Sequence, residues 1–127
     1  MSELIYLDTH TIVWLHSGEI ERLSSTAAES IEAGDCLISP IVLLELQYLK
    51  EIKRLKYTPE RILSDLEKEI SLQVCQSSFQ QVIGLSLQEA WTRDPFDRII
   101  VAQARLSNAH LITKDPVIAE HYNKAHW

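Results

Sequence analysis

Cys36-Leu37-Ile38-Ser39-Pro40-Ile41-Val42-Leu43-Leu44-Glu45-Leu46-Gln47-Tyr48-Leu49 runs a short apolar strand straight into an apolar helix. Ser39 offers an N-cap, and Pro40 takes the first helical position, where the missing amide would have had no partner anyway. A strand that feeds a helix in this way is half of a βαβ unit, and such units build parallel sheets. The helix is expected to continue to about residue 55. Glu45 stands four residues after Ile41 and three before Tyr48, on a row that continues to Ile52, and the row reads as core-facing. A carboxylate on such a row is costly unless something pairs with it. Nothing basic lies near it in sequence until Lys50, so the partner must come from elsewhere, and a bound cation is the obvious candidate.

The same punctuation recurs on both sides. Leu4-Ile5-Tyr6-Leu7 reads as a strand that ends at Asp8-Thr9, and Ile12, Val13, Trp14 and Leu15 suggest a short helix closing at Gly18. Ser24-Ser25-Thr26 caps a helix with the row Leu23, Ala27, Ile31, stopped by Gly34. Thr58-Pro59 opens a helix whose apolar face is Ile62, Leu63, Leu66 and Ile70, and Leu72-Gln73-Val74-Cys75 is a third strand. Phe79, Val82, Ile83 and Leu87 mark a further helix, weakened by Gly84. Asp94-Pro95 opens a strongly patterned helix over residues 96–107, Leu111-Ile112 is a fourth strand, and Asp115-Pro116 starts a last helix with Val117, Ile118 and Tyr122. Ala125-His126-Trp127 reads as a short edge strand. Short strands alternating with helices predict an α/β protein, a three-layer α/β/α sandwich around a central, mainly parallel sheet of four to five strands, in one domain over residues 1–127. In such folds sites form at the carboxyl ends of the strands, near a topological switch point.

Composition narrows the function. The 127 residues are 46% hydrophobic and 24% charged, with a net charge of -6, as in an ordinary water-soluble domain. That charge argues against coating nucleic acid with a basic surface, but not against a nucleic-acid enzyme whose acids cluster in one pocket. No apolar run approaches a membrane span and the N-terminus lacks a signal-peptide pattern, so the expected compartment is the cytoplasm, with Cys36 and Cys75 as free thiols. Gly is too scarce for phosphate-cradling fingerprints, and the five histidines lack zinc-ligand spacing with the cysteines. The basic run from Lys50 to Lys56 reads as a solvated helix face that could also help hold a phosphate backbone, and Trp14, Trp91 and Trp127 as core or interface residues.

Three aspartates stand beside apolar segments that could deliver them to Glu45. Asp8 follows the first strand and Asp115 the fourth, so both share one edge of the sheet, and both also read as N-caps. The two roles are compatible, since one carboxylate oxygen can accept an amide while the other holds an ion. Asp94 has the look of a cap with Pro95 after it, while Asp97 falls on the row of Ile100, Val101 and Ala104 and is favoured as the ligand. Clustered carboxylates repel one another unless a cation joins them. Oxygen-only donors suit Mg²⁺ or Mn²⁺ better than Zn²⁺, as one ion or as two about 3.5 to 4 Å apart.

Leu7-Asp8-Thr9-His10, the Ser39-Pro40 helix with Glu45, Arg93-Asp94-Pro95-Phe96-Asp97-Arg98 with Ile99-Ile100-Val101-Ala102-Gln103-Ala104, and Leu111-Ile112-Thr113-Lys114-Asp115 together resemble the PIN-domain family. More narrowly, they are similar to the VapC-type ribonuclease toxins of bacterial toxin–antitoxin pairs. The resemblance runs from Leu4 to about Tyr122. It implies a PIN-like fold, Mg²⁺- or Mn²⁺-dependent endonucleolytic cleavage of RNA, homodimers, and inhibition by a cognate antitoxin whose C-terminal segment blocks the acidic pocket. The family's acidic positions fall on Asp8, Glu45, Asp97 and Asp115, and Thr113 matches a hydroxyl position that supports them. Thr9 and Asp94 are expected to support the ligands beside Thr113. No acidic position is missing, but no basic track for RNA is evident.

Two rivals also fit an acidic α/β protein. A receiver-like Mg²⁺-binding signalling domain needs paired acids after the first strand and a phosphorylatable Asp after the third, whereas Asp8 stands alone and the third strand ends at Cys75-Gln76. A catalytically silent module would bind only a protein partner. The full set of acids argues against both.

Overall fold

Parallel pairing of short strands frames the protein, described by a computed structural model over residues 2–127. The strands are β1 (Leu4–Leu7), β2 (Asp35–Ile38), β3 (Gln73–Val74), β4 (His110–Ile112) and β5 (Ala125–His126). They form one sheet in the order β3-β2-β1-β4-β5, with every pairing parallel. Helices α1 (Thr9–Ser17) and α2 (Ser25–Ala33) link β1 to β2, and α3 (Pro40–Glu51) and α4 (Pro59–Ile70) link β2 to β3. The chain then returns across the sheet through α5 (Phe79–Ser86) and α6 (Pro95–Leu106) to β4, and α7 (Pro116–His121) leads to β5. Right-handed crossovers that reverse direction put helices on both faces, with the switch point between β1 and β4. Among the described residues no helix is long and apolar enough to cross a membrane.

Burial explains why the strands are nearly all apolar. Ile5, Tyr6, Leu7, Leu111 and Ile112 are almost wholly enclosed, because a central parallel strand is covered on both sides. The helices add Ile12, Val42, Leu46, Ile62, Leu66, Ile100 and Val101. Start signals act as expected: Ser24, Ser39, Thr58, Asp94 and Asp115 each cap a helix with a side-chain oxygen. Gly18 closes α1 in the left-handed conformation at φ 78°. Both cysteines are free thiols.

Three expectations need correction. The ridge of α3 in the core is Val42 and Leu46, while Tyr48 and Ile52 on the Glu45 row are 50% and 43% exposed. Glu45 therefore lies at the boundary of the core rather than within it. The helix also ends at Glu51, about a turn early, since Lys53 turns left-handed at φ 64° and the Arg54 amide closes back on the Leu49 carbonyl. On α5 the inward face is Val82 and Ser86, whereas Phe79 and Leu87 point outward at 71% and 70% exposure.

Candidate metal centre

Asp8 is placed by the end of β1. Its amide donates to the Ile112 carbonyl of β4 at 3.1 Å, so the two central strands fix where it emerges. The carboxylate caps α1, accepting from the Thr9 amide at 2.7 Å through Oδ1, and its Oδ2 accepts from the Thr113 hydroxyl at 2.6 Å. Thr113 is buried at the end of β4, and its hydroxyl oxygen in turn accepts from the Asp115 amide at 3.1 Å. One hydroxyl thus ties the two strand-end aspartates together. Asp115 caps α7 through Oδ1, accepting from Val117 at 2.9 Å.

Glu45 reaches the same place from α3. Its Oε1 accepts from the Thr9 hydroxyl at 2.5 Å, so Thr9 links α1 to α3 as Thr113 links β1 to β4. Burial raises the Glu45 pKa first; the Thr9 hydrogen bond opposes this, and the Asp8 and Asp94 charges add to it. Asp97, in the first turn of α6, accepts no hydrogen bond from the described residues. Burial, and then the charges of Asp94, Asp8, Asp115 and Glu45, push its carboxyl up to about 7. Asp94 is exposed and acts as the cap of α6, accepting from the Phe96 amide at 2.8 Å; its charge is felt at Asp97 and Glu45, but it does not line the cavity.

Asp8, Glu45, Asp97 and Asp115 line one cavity of about 300 Å³, with Thr9, His10, Val13, Trp14 and Leu49 completing the wall. A larger hollow of about 500 Å³ near Glu3, Glu29 and Gly34 lies at the opposite, amino end of β1 and gathers none of these groups. Among the described residues, no three His, Cys, Asp or Glu side chains already form a finished ion-holding group. The acids face one space as separate donors, as mutually repelling carboxylates do.

Two wall residues, His10 and Trp14, and Lys114 beside them were not read as site residues from the sequence. His10 faces Asp8 Oδ2 through Nδ1 at 3.5 Å, and its Nε2 accepts from the Lys114 amide at 3.0 Å. Trp14 packs against His10 with ring centres 4.9 Å apart, and the Lys114 ammonium lies 5.8 Å from the Trp14 ring centre. The four-residue spacing of His10 and Trp14 was a usable signal, because it puts them on one helix face next to Asp8. The basic run near Lys50 lines none of this cavity, and no carboxylate follows β3.

Comparison with known proteins agrees with this architecture. Ribonuclease VapC22 of Mycobacterium tuberculosis is 32% identical over 120 residues, which cover 92% of this chain and 91% of that protein. Among solved structures, VapBC2 of Rickettsia felis bound to a promoter DNA fragment aligns with TM-score 0.67 at 22% identity, covering 97% of each chain. DNA-bound VapBC of Salmonella typhimurium aligns with TM-score 0.65 at 23% identity, over 99% of this chain and 96% of that one. At that identity the structural likenesses speak for the fold. The PIN domain model matches residues 5–124, and this chain belongs to the PIN domain family.

Proposed function

We propose that this chain is an endoribonuclease of the VapC type, the toxin of a toxin–antitoxin pair, hydrolysing RNA phosphodiester bonds in the cytoplasm with Mg²⁺ or Mn²⁺. The observation that carries this reading is that Asp8, Glu45, Asp97 and Asp115 face one cavity whose wall holds no Lys or Arg. An all-oxygen donor set of this charge fits a hard divalent ion. Asp8, Asp97 and Asp115 would hold it, with Glu45 as a further ligand or as the group that orients the attacking water. A bound divalent ion lowers the pKa of water and offsets phosphate charge.

The chain's own residues supply orientation. Thr113 holds Asp8 Oδ2, and Thr9 holds Glu45 Oε1. Glu45, fixed in this way by Thr9, would orient the water that attacks phosphorus. Hydrolysis of this kind needs no covalent enzyme intermediate. The 32% identity to a ribonuclease supports RNA as the substrate class, and the toxin–antitoxin complexes among the structural neighbours support an antitoxin as the partner. A homodimer is the assembly expected for this type of toxin.

Incubating a mixed RNA pool with Mg²⁺, Mn²⁺ or chelator, followed by mapping of the ends, tests the reading. Cleavage is expected with either metal and not with chelator. Asp8→Asn should lose cleavage while keeping the parent's circular dichroism spectrum. Equal cleavage by the parent and a folded Asp8→Asn protein would remove Asp8 from the mechanism.

A further inference from the structure

We propose that Lys114, held over Trp14 at the mouth of the carboxylate cavity, is the cation that grips the RNA backbone beside the scissile phosphate. The inference rests on the ribonuclease reading and adds to it the substrate contact that the sequence lacked. A polyanion approaching four carboxylates meets net repulsion even after one divalent ion is bound, so binding requires further positive charge near the cavity.

The cations on or next to α6, and Arg22 against Trp14, are already engaged. Arg98 donates to the Glu89 carbonyl at 2.9 Å, Arg93 to the Ala90 carbonyl at 2.9 Å, and Arg105 pairs with the Glu89 carboxylate at 3.1 Å. Arg22 lies against Trp14 too, but Glu19 pairs with it at 3.0 Å. Lys114 is exposed, and among the described residues its ammonium pairs with no carboxylate. It is also held in place. Its amide is bound to His10, its neighbour Asp115 lines the cavity, and its ammonium rests on the face of Trp14, a cavity wall residue braced edge-on by Trp127 at 5.6 Å. A cation this close to an aromatic face is restrained without being neutralised. Lys114 is thus the binding group, and Trp14 is a positioning residue that acts through it.

Steady-state cleavage of a short single-stranded RNA with Mn²⁺ tests this, with KM followed over a range of salt. Lys114→Gln should raise KM about fivefold with little change in kcat, the loss of one charge-assisted contact. It should also flatten the dependence of log KM on log salt by about 0.7, the contribution of one phosphate on a single strand. Lys114→Arg should restore both. Trp14→Leu should reproduce part of the KM rise and Trp14→Phe should not. In an Asp8→Asn background, which does not need turnover, the anisotropy of a labelled RNA should report the same loss of affinity on adding Lys114→Gln. A parent that cleaves RNA while Lys114→Gln leaves KM, salt slope and affinity unchanged overturns this inference alone. A parent that fails to cleave any RNA with Mn²⁺ overturns the ribonuclease reading and this inference with it.

Discussion

Asp97 carries a consequence that can be measured without any substrate. Its carboxyl is raised to about 7 by burial and by four neighbouring carboxylates, against 3.8 for an ordinary Asp. Between those values the folded chain holds more protons than the unfolded one, so this group's share of stability is present at low pH and is lost as pH rises through about 4 to 7. In chelator, Asp97→Asn should therefore melt at a higher temperature than the parent at pH 8, with the gap closing towards pH 4. Mn²⁺ at pH 8 should raise the melting temperature of the parent far more than that of the variant. Fluorimetric melting curves give both comparisons, and a variant that melts below the parent in chelator at pH 8 would contradict them. Thr113 offers a second residue-level test. Thr113→Val keeps the shape but removes the hydroxyl between Asp8 and Asp115. Loss of such a support should lower the cleavage rate about ten- to hundredfold, with a melting shift corresponding to about 1–2 kcal/mol. Asp8, Asp97 and Asp115 were legible because strand ends and helix starts fix where their side chains begin, whereas Glu45 is read from an apolar row that is only half-buried and Thr113 only from the family resemblance. His10, Trp14 and Lys114 were not legible, because what joins them is a contact between α1 and the β4–α7 turn, over a hundred positions apart in sequence.

At the scale of elements, start signals were reliable and faces less so. Ser39-Pro40, Thr58-Pro59, Asp94-Pro95 and Asp115-Pro116 each begin a helix where the local chemistry requires it. The face of α3 could not be chosen from its sequence, since apolar residues surround almost the whole helix and the Ile41 and Val42 rows look equally suited to the core. α5 misled for a related reason: Phe79 and Leu87 carry the pattern of a buried face but stand in solvent. The glycines separate space from conformation. A Cβ on Gly34 would lie 2.3 Å from Ile5 Cγ1 and 3.0 Å from the Ser30 carbonyl oxygen, where α2 meets β1. Gly34→Ala should destabilise the protein by about 1–3 kcal/mol in urea unfolding, as overpacking does. Gly84 lies inside α5 with open space around it. Gly84→Ala should stabilise by about 0.5–1 kcal/mol through helix propensity. An unchanged or lower unfolding midpoint for Gly84→Ala would refute that account of α5.

For the whole molecule, alternation of strands and helices sufficed to predict parallel pairing, but not the order β3-β2-β1-β4-β5, which only contacts between distant segments decide. That order matters because it sets β1 beside β4, so that Asp8 and Asp115 emerge side by side, while α3 and α6 bring Glu45 and Asp97 to the same cavity. Four segments far apart in sequence then share one electrostatic cost, which a divalent ion bound as proposed would relieve in all four. Binding should accordingly tie their local openings together rather than quieten one loop. Hydrogen exchange followed by mass spectrometry can separate these cases. With Mn²⁺, amides in peptides covering residues 8–12, 42–49, 95–99 and 113–118 should slow together, while exchange around the exposed Phe79 end of α5 should stay as it was. Asp8→Asn should weaken the slowing in all four peptides, including those on α3 and α6 that it does not touch. Protection confined to the peptide carrying Asp8, or slowing on α3 and α6 that survives Asp8→Asn, would mean that the acids bind separately and that the cavity does not act as one site.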